Sequence, residues 1–273
     1  MSETNFDYTQ TERYQLSLRI GTDAFTYALY DRASAPAFYQ KIYPTDRKRS
    51  LTANLKTIGK DCPLTGHTFR SVRVLLADAL CVAVPSEVFE VDGAESLYYG
   101  CMPRVNNQAV LHYDPPQSDL VLLYGADRTF CQILLELYPD ARIQASAVPV
   151  TEFLYRRSLT GENRKMYVHF HDRRMDVYAF ESEKFLLTNS FRCTHSSDVL
   201  YFLLYIWQQL GFDQQKDTLY LIGSAPEKEQ TLTELRRFIA QVAPIYPSSE
   251  FHRAEYAKAD LEFDLQASLS TEY

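Results

Sequence analysis

Hydrophobic residues recur at every second position through Leu16, Leu18 and Ile20, and the same spacing returns at Met166, Val168 and Phe170. Such alternation marks a strand with one buried face. Setting Leu16 on Met166 fixes an offset of 150 residues, at which Phe25 falls on Met175, Tyr27 on Val177, Leu29 on Ala179 and Tyr30 on Phe180 without a gap. Each first strand passes through a short turn into a second, so the pattern predicts hairpins over 14–31 and 164–181. A further strand follows the polar turn Ser182-Glu183. Downstream the order also repeats. A helix over 50–58, stopped by Gly59, and a strand over 69–76 answer a helix over 198–210 and a strand over 218–222. The spacing therefore predicts a fold built twice.

Other elements fill the gaps. Strands are expected over 37–42 and over 80–84, the latter pairing with 69–76, and Pro85-Ser86-Glu87 opens a helix that runs to Tyr99. Asn, Gln and Pro between Pro103 and Ser118 mark loops around an irregular edge at 110–113. Residues 120–124 form a continuous apolar run, the pattern of a strand covered on both faces. Helices over 129–138 and 150–159 flank a strand over 141–147, an alternation that implies parallel pairing. The helix over 198–210 is apolar all round and is expected to be buried. A helix over 227–242 is closed by Pro244 and Pro247, and in the tail Leu261, Phe263 and Leu265 alternate with Asp260, Glu262 and Asp264, predicting an edge strand with a wet acidic face. Residues 1–12 are polar and expected to be loose. The polar stretch 159–165 divides the chain into lobes 1–160 and 161–273, with the tail 247–273 able to pack on either.

Composition narrows the functional classes. With 273 residues, 46% hydrophobic and 14% aromatic, the chain can bury two cores. Its 20 Tyr and 16 Phe beside a single Trp favour either a well-packed β-rich core or interaction surfaces, and the core is the preferred reading. A net charge of −7 gives no broad attraction for nucleic acid or anionic lipid, so no nucleic-acid partner is expected. Cys62, Cys81, Cys101, Cys131 and Cys193 are far apart, odd in number and never spaced Cys-x-x-Cys, which points to a reducing compartment rather than a disulfide scaffold or zinc knuckle. The opening residues lack the basic and apolar regions of a secretory leader, and no apolar run approaches the length of a membrane span. A cytoplasmic protein without an integral membrane segment is expected.

The stretches 18–31, 168–180, 198–211 and 219–224, in that order, resemble the actin-like ATPase superfamily: actin, the Hsp70 chaperones, sugar kinases and the bacterial FtsA and PilM proteins. Within it the chain looks like an uncharacterised bacterial domain family. The resemblance implies an α/β fold with mixed sheets, a duplicated ribonuclease H-like, actin-like ATPase fold with two similar lobes. In that superfamily the hairpin turns grip phosphate. The first is usually Asp-x-Gly-Thr, whose carboxylate organises a magnesium ion through water. Here Arg19-Ile20-Gly21-Thr22 stands there, and Arg19 cannot coordinate a cation. The second is usually Asp followed by glycines, whereas this chain has His169 and then His171-Asp172-Arg173-Arg174. The paired glycines of the adenosine motif are reduced to Gly223-Ser224. No catalytic residue and no cofactor is therefore assigned. If a nucleotide were held in an altered interlobe site, Arg19, Gly21, Thr22, His169, Asp172 and Gly223 would line it, with Arg19, Arg173 and Arg174 as direct phosphate donors.

Other constellations carry less. His169 and His171 lie two apart on one strand, and Cys193 and His195 repeat that spacing, a set that would suit zinc. No carboxylate pattern fixes them, and no metal is expected. Ser224 has no Gly-x-Ser-x-Gly elbow, and neither a P-loop nor His-Glu-x-x-His occurs. These features lead to a non-catalytic actin-like scaffold or protein-interaction module with an unidentified protein partner. The alternative is a nucleotide-binding ATPase or phosphotransferase with an altered site.

Overall fold

A computed structural model of the protein describes residues 8–31, 38–62, 64–116, 118–252, 254, 256 and 261–270. Residues 1–7 of the polar N-terminal stretch, Ala37 and Asp260 lie outside them.

Strand β1 (Gln15–Ile20) pairs antiparallel with β2 (Ala24–Tyr30) and parallel with β4 (Ser71–Leu76). With β3 (Phe38–Pro44) and β8 (Arg142–Ala145) they form a sheet of order β3-β2-β1-β4-β8. Strands β9 (Lys165–His171), β10 (Arg174–Glu181), β11 (Lys184–Arg192), β12 (Thr218–Gly223) and β13 (Gln241–Ile245) form a second, of order β11-β10-β9-β12-β13. The two orders correspond strand for strand, and so do the directions of pairing. Registers agree too. Leu16 opposes Leu29 and Ile20 opposes Phe25 in the first hairpin, as Met166 opposes Ala179 and Phe170 opposes Met175 in the second. The offset read from the apolar pattern is the register of the sheets.

Burial explains why these strands form. Leu16, Leu18, Met166 and Val168 are fully inaccessible to solvent. In the first sheet they pack beneath helices α1 (Leu51–Asp61) and α3 (Arg128–Leu137) through Leu55, Ile58, Phe130 and Leu134. In the second, α5 (Ser196–Gln209) and α6 (Lys228–Leu235) supply Val199, Leu203, Trp207 and Leu235. Helix α1 begins at Ser50, whose Oγ accepts from the Ala53 amide at 3.2 Å, and it continues through Gly59 to Asp61. The alternate positions of the central strands are not wet: Ser17, Arg19, Lys165 and His169 are buried as well. Both central strands are thus covered on two faces.

The chain forms two compact units that are discontinuous in sequence, 1–80 with 90–113 and 123–146, and 81–89 with 114–122 and 147–273. Helix α4 (Ala147–Ser158) belongs to the second unit, as does the tail. Several elements depart from the sequence reading. Strand β5 (Cys81–Pro85) does not pair with β4 but joins a three-stranded sheet of order β5-β7-β6, in which β7 (Leu120–Asp127) lies between β5 and β6 (Gln108–Tyr113). The apolar run of β7 fills that middle position. The helix expected from Ser86 is two 3-10 turns and then α2 (Ala94–Cys101), because Val88 and Val91 are exposed and offer no buried face earlier.

The helix expected over 227–242 stops at Leu235, and residues 241–245 form β13, parallel to β12 with Val242 and Ile245 buried. Pro244 is tolerated there because β13 is an edge strand. The tail is no edge strand. After the single turn α7 (Pro247–Glu250) it ends in α8 (Phe263–Ser270), buried on every side, and Asp264 is completely enclosed instead of wet. Helix α8 packs on α4, with the Phe153 and Phe263 rings edge-to-face at 5.4 Å. Helix α5 differs in the other direction: Tyr201 and Tyr205 are 67% and 54% exposed, their phenol tips letting one side of an apolar helix face water.

If the two sheets are equivalent in their packing, Leu16→Ala and Met166→Ala should each destabilise the protein by about 2–5 kcal/mol. Urea denaturation of both variants checks this; a loss confined to one would show that the paired positions are packed differently.

Candidate functional site

The β1–β2 turn is held by its own neighbours. Gly21 donates its amide to the Ala24 carbonyl at 3.0 Å, and the Thr22 hydroxyl lies 2.8 and 3.0 Å from the two carboxylate oxygens of Asp78. The Thr45 hydroxyl donates to the Thr22 carbonyl at 2.6 Å, and Arg47 forms an ion pair with Asp23. Arg19 is buried within β1, with Thr26 and Leu75 as its partners in register. A guanidinium in that position is a core group, not a free arm.

The β9–β10 turn carries denser chemistry. Asp172 and Arg173 both adopt positive φ, +42° and +62°, the left-handed pair of a tight two-residue hairpin made here without glycine. Strand alternation puts His169 and His171 on one face, where their rings stack at 4.6 Å and Phe263 of α8 lies 5.5 Å from His169. His171 is gripped at both nitrogens: Nδ1 is 3.2 Å from the Asp172 carboxylate and Nε2 is 2.8 Å from that of Asp176. Asp176 also accepts a hydrogen bond from the Ser190 hydroxyl on β11. In register, Asp176 opposes His169 on one side and Ser190 on the other, so three strands contribute to one buried chain of polar groups.

Burial alone would lower the His171 pKa, but Asp176, and then the hydrogen bonds to Asp172 and Asp176, overcome it and raise the pKa from 6.5 to about 10. Burial would raise the Asp176 carboxyl, yet His171 and Ser190 hold it below its ordinary value. The pair is an imidazolium and a carboxylate. Around it, burial and the Asp176 charge push the Tyr178 phenol and the Cys81 thiol upward, so both stay neutral.

Gly223 belongs to this end of the second sheet as well. It has φ +82°, and a Cβ there would sit 2.4 Å from the Phe170 carbonyl oxygen. The glycine is required by the close approach of β12 to β9.

Of the sequence candidates, Arg19, Gly21 and Thr22 fall in the first unit, and His169, Asp172 and Gly223 gather at one end of the second. Cys193 does not join His169 and His171; it is packed in the apolar core, while the His195 amide donates to the Asp198 carboxylate at the start of α5. His169, His171 and Asp176 do place one ligand atom each within 4.8 Å of one another. A metal ion there would have to displace the Nε2 hydrogen bond from Asp176 and strip a proton from the imidazolium. Asp176, Ser190 and Asp78 were not singled out from sequence. The hairpin register could have revealed Asp176, since pairing Phe170 with Met175 sets it opposite His169.

Residues 3–242 match the family described as Protein of unknown function (DUF3822). The chain belongs to this family. A crystal structure of a Bacteroides thetaiotaomicron VPI-5482 protein with actin-like ATPase fold and unknown function is 31% identical, with a TM-score of 0.87 over 98% of this chain and 100% of that one. A structure of the PilM–PilN type IV pilus biogenesis complex is similar in fold, with a TM-score of 0.60 and 14% identity over 95% of this chain and 99% of that one. No curated protein matches. This DUF3822 chain therefore has the actin-like ATPase fold, and its two sheets of equal order are the duplicated halves of that fold.

Two measurements follow from the buried pair. Because the folded His171 pKa lies above its unfolded value, its stabilisation should be complete below about pH 6.5 and fade as pH rises towards 10. Because the Asp176 pKa is depressed, its share should be complete above about pH 4 and disappear on further acidification. His171→Gln should cost about 3–5 kcal/mol near neutral pH by leaving a buried carboxylate without its cation, and should flatten the alkaline fall seen by urea denaturation of the wild type. Gly223→Ala should lower the melting temperature through strain with the Phe170 carbonyl, whether or not nucleotide is present.

Proposed function

We propose that the protein is a non-catalytic actin-like scaffold, a cytoplasmic protein-interaction module whose ancestral lobes are 1–160 and 161–273 and whose nucleotide site is degenerate. The observation that carries this reading is the closure of the β9–β10 turn: Asp172, His171, Asp176 and Ser190 are bonded to one another. A phosphate-binding turn must instead offer bare amides and a carboxylate free to organise a cation. Thr22, with its hydroxyl on Asp78, and Arg19, enclosed in β1, support the same reading from the other hairpin. Neither a metal nor a cofactor forms part of it.

Recruitment of a protein partner is the role that this reading gives the fold. The PilM–PilN complex, similar to this chain in fold, is an assembly of two proteins. The exposed Tyr201 and Tyr205, stacked with ring centroids 6.4 Å apart on α5, are side chains of the kind enriched at protein interfaces. Among the described residues no helix is long and apolar enough to cross a membrane.

Thermal denaturation with and without millimolar magnesium-ATP tests the reading. A ligand at about 100 times its Kd adds roughly 2.7 kcal/mol of stability, a rise that is easily measured. The scaffold reading expects no shift. A clear rise that Thr22→Val abolishes would replace it with an altered-site ATPase or phosphotransferase.

A further inference from the structure

We infer that the second unit holds a binding site for a small aromatic anion, at the end of β9 opposite the His171 turn. A cavity of about 530 Å³ opens there, within the ~300–1,000 Å³ range of small-molecule pockets. Its charged lining is mostly cationic: Arg156 and Arg157 from α4 and Lys165 from β9, against Glu250 alone. Its other walls are aromatic, with Phe153, Phe251 and Tyr220.

The site is built by strand register and by α4. Tyr167 and Tyr220 oppose one another on β9 and β12, and their rings stack at 5.0 Å with 14° between the planes. The Arg157 guanidinium lies over the Tyr220 ring at 5.2 Å, and its Nη1 donates to both carboxylate oxygens of Glu250 at 2.7 Å, so that acid is already neutralised. Lys165 Nζ donates to the Ser158 carbonyl at 2.8 Å and to that of Thr160, which pins the ammonium and leaves its third hydrogen for another acceptor. Burial, and then Arg157, lower the Lys165 pKa, a direction that an incoming anion would reverse.

Two donors at this cavity are not satisfied within the protein. The Tyr167 residue is completely buried, and its hydroxyl lies against the Arg157 guanidinium, which can only donate to it, so the phenol hydrogen has no acceptor; Arg157 Nε is likewise without an acceptor. A buried hydroxyl and a buried guanidinium N–H both call for an acceptor oxygen. A cation would meet Arg156, Arg157 and Lys165 and be repelled. An anionic oxygen group would bond Tyr167, Arg157 Nε and Lys165, and a flat ring attached to it would lie among Phe153, Phe251 and Tyr220. A ring-bearing carboxylate and an aromatic phosphate ester share that chemistry.

Isothermal titration of the full chain with phenyl phosphate, benzoate and inorganic phosphate separates these ligands. At least one ring-bearing anion should bind, phenyl phosphate assigning an ester and benzoate a carboxylate, with inorganic phosphate weaker than either binder. Tyr167→Phe keeps the ring stack and removes only the hydroxyl, and should weaken binding by about 10-fold. Arg156→Gln, at an exposed position, should also weaken it. No heat from either ring-bearing anion at millimolar concentration would overturn the inference. So would inorganic phosphate binding as tightly as phenyl phosphate, or wild-type affinity in both variants.

Discussion

An imidazolium enclosed in the second sheet, with one carboxylate at each nitrogen, sets the terms for the β9–β10 hairpin. Removing charge from water is costly, so His171, Asp172 and Asp176 persist together only while each satisfies the others. That mutual dependence draws in Ser190 from β11 and positions His169 against Phe263 of α8. The same turn holds Asp172 at positive φ while its carboxylate lies on Nδ1.

Duplication explains why the same strand order serves two chemistries. Both units place a buried hairpin beside a parallel strand under two helices, and their apolar cores keep the 150-residue register. What differs is the polar face. In the first unit the turn is tied by the Thr22 hydroxyl and the Thr45 side chain. In the second, charged groups do the tying. Apolar packing is indifferent to these changes, so the cores could stay alike while the turns diverged.

How much was legible in the sequence follows from the same physics. Period-two alternation at Leu16–Ile20 and Met166–Phe170 reports one buried face, and it located both hairpins, their register and the duplication. It is blind to the other face. Ser17, Arg19, Lys165 and His169 looked half-wet by pattern and are buried, because coverage of a second face depends on elements far away in sequence. The tail shows the converse: Leu261, Phe263 and Leu265 alternate as a strand would, yet α8 is a helix buried all round, with Asp264 enclosed. By pattern Pro244 reads as the end of a helix, although an edge strand accepts proline equally well. Within the candidate site, the absence of glycine at 171–174 was readable, but Asp176 and Ser190 were hidden as single polar residues in otherwise ordinary strands.

The protonation of His171 decides whether the turn is closed by charge. A nitrogen-15 spectrum of the imidazole side chains, followed between about pH 5 and pH 9, reports it directly. Both ring nitrogens of His171 should remain protonated across that range, in keeping with a pKa near 10. A ring that loses its proton near the ordinary histidine value would show that Asp172 and Asp176 do not hold it, and the turn would then be free for another ligand.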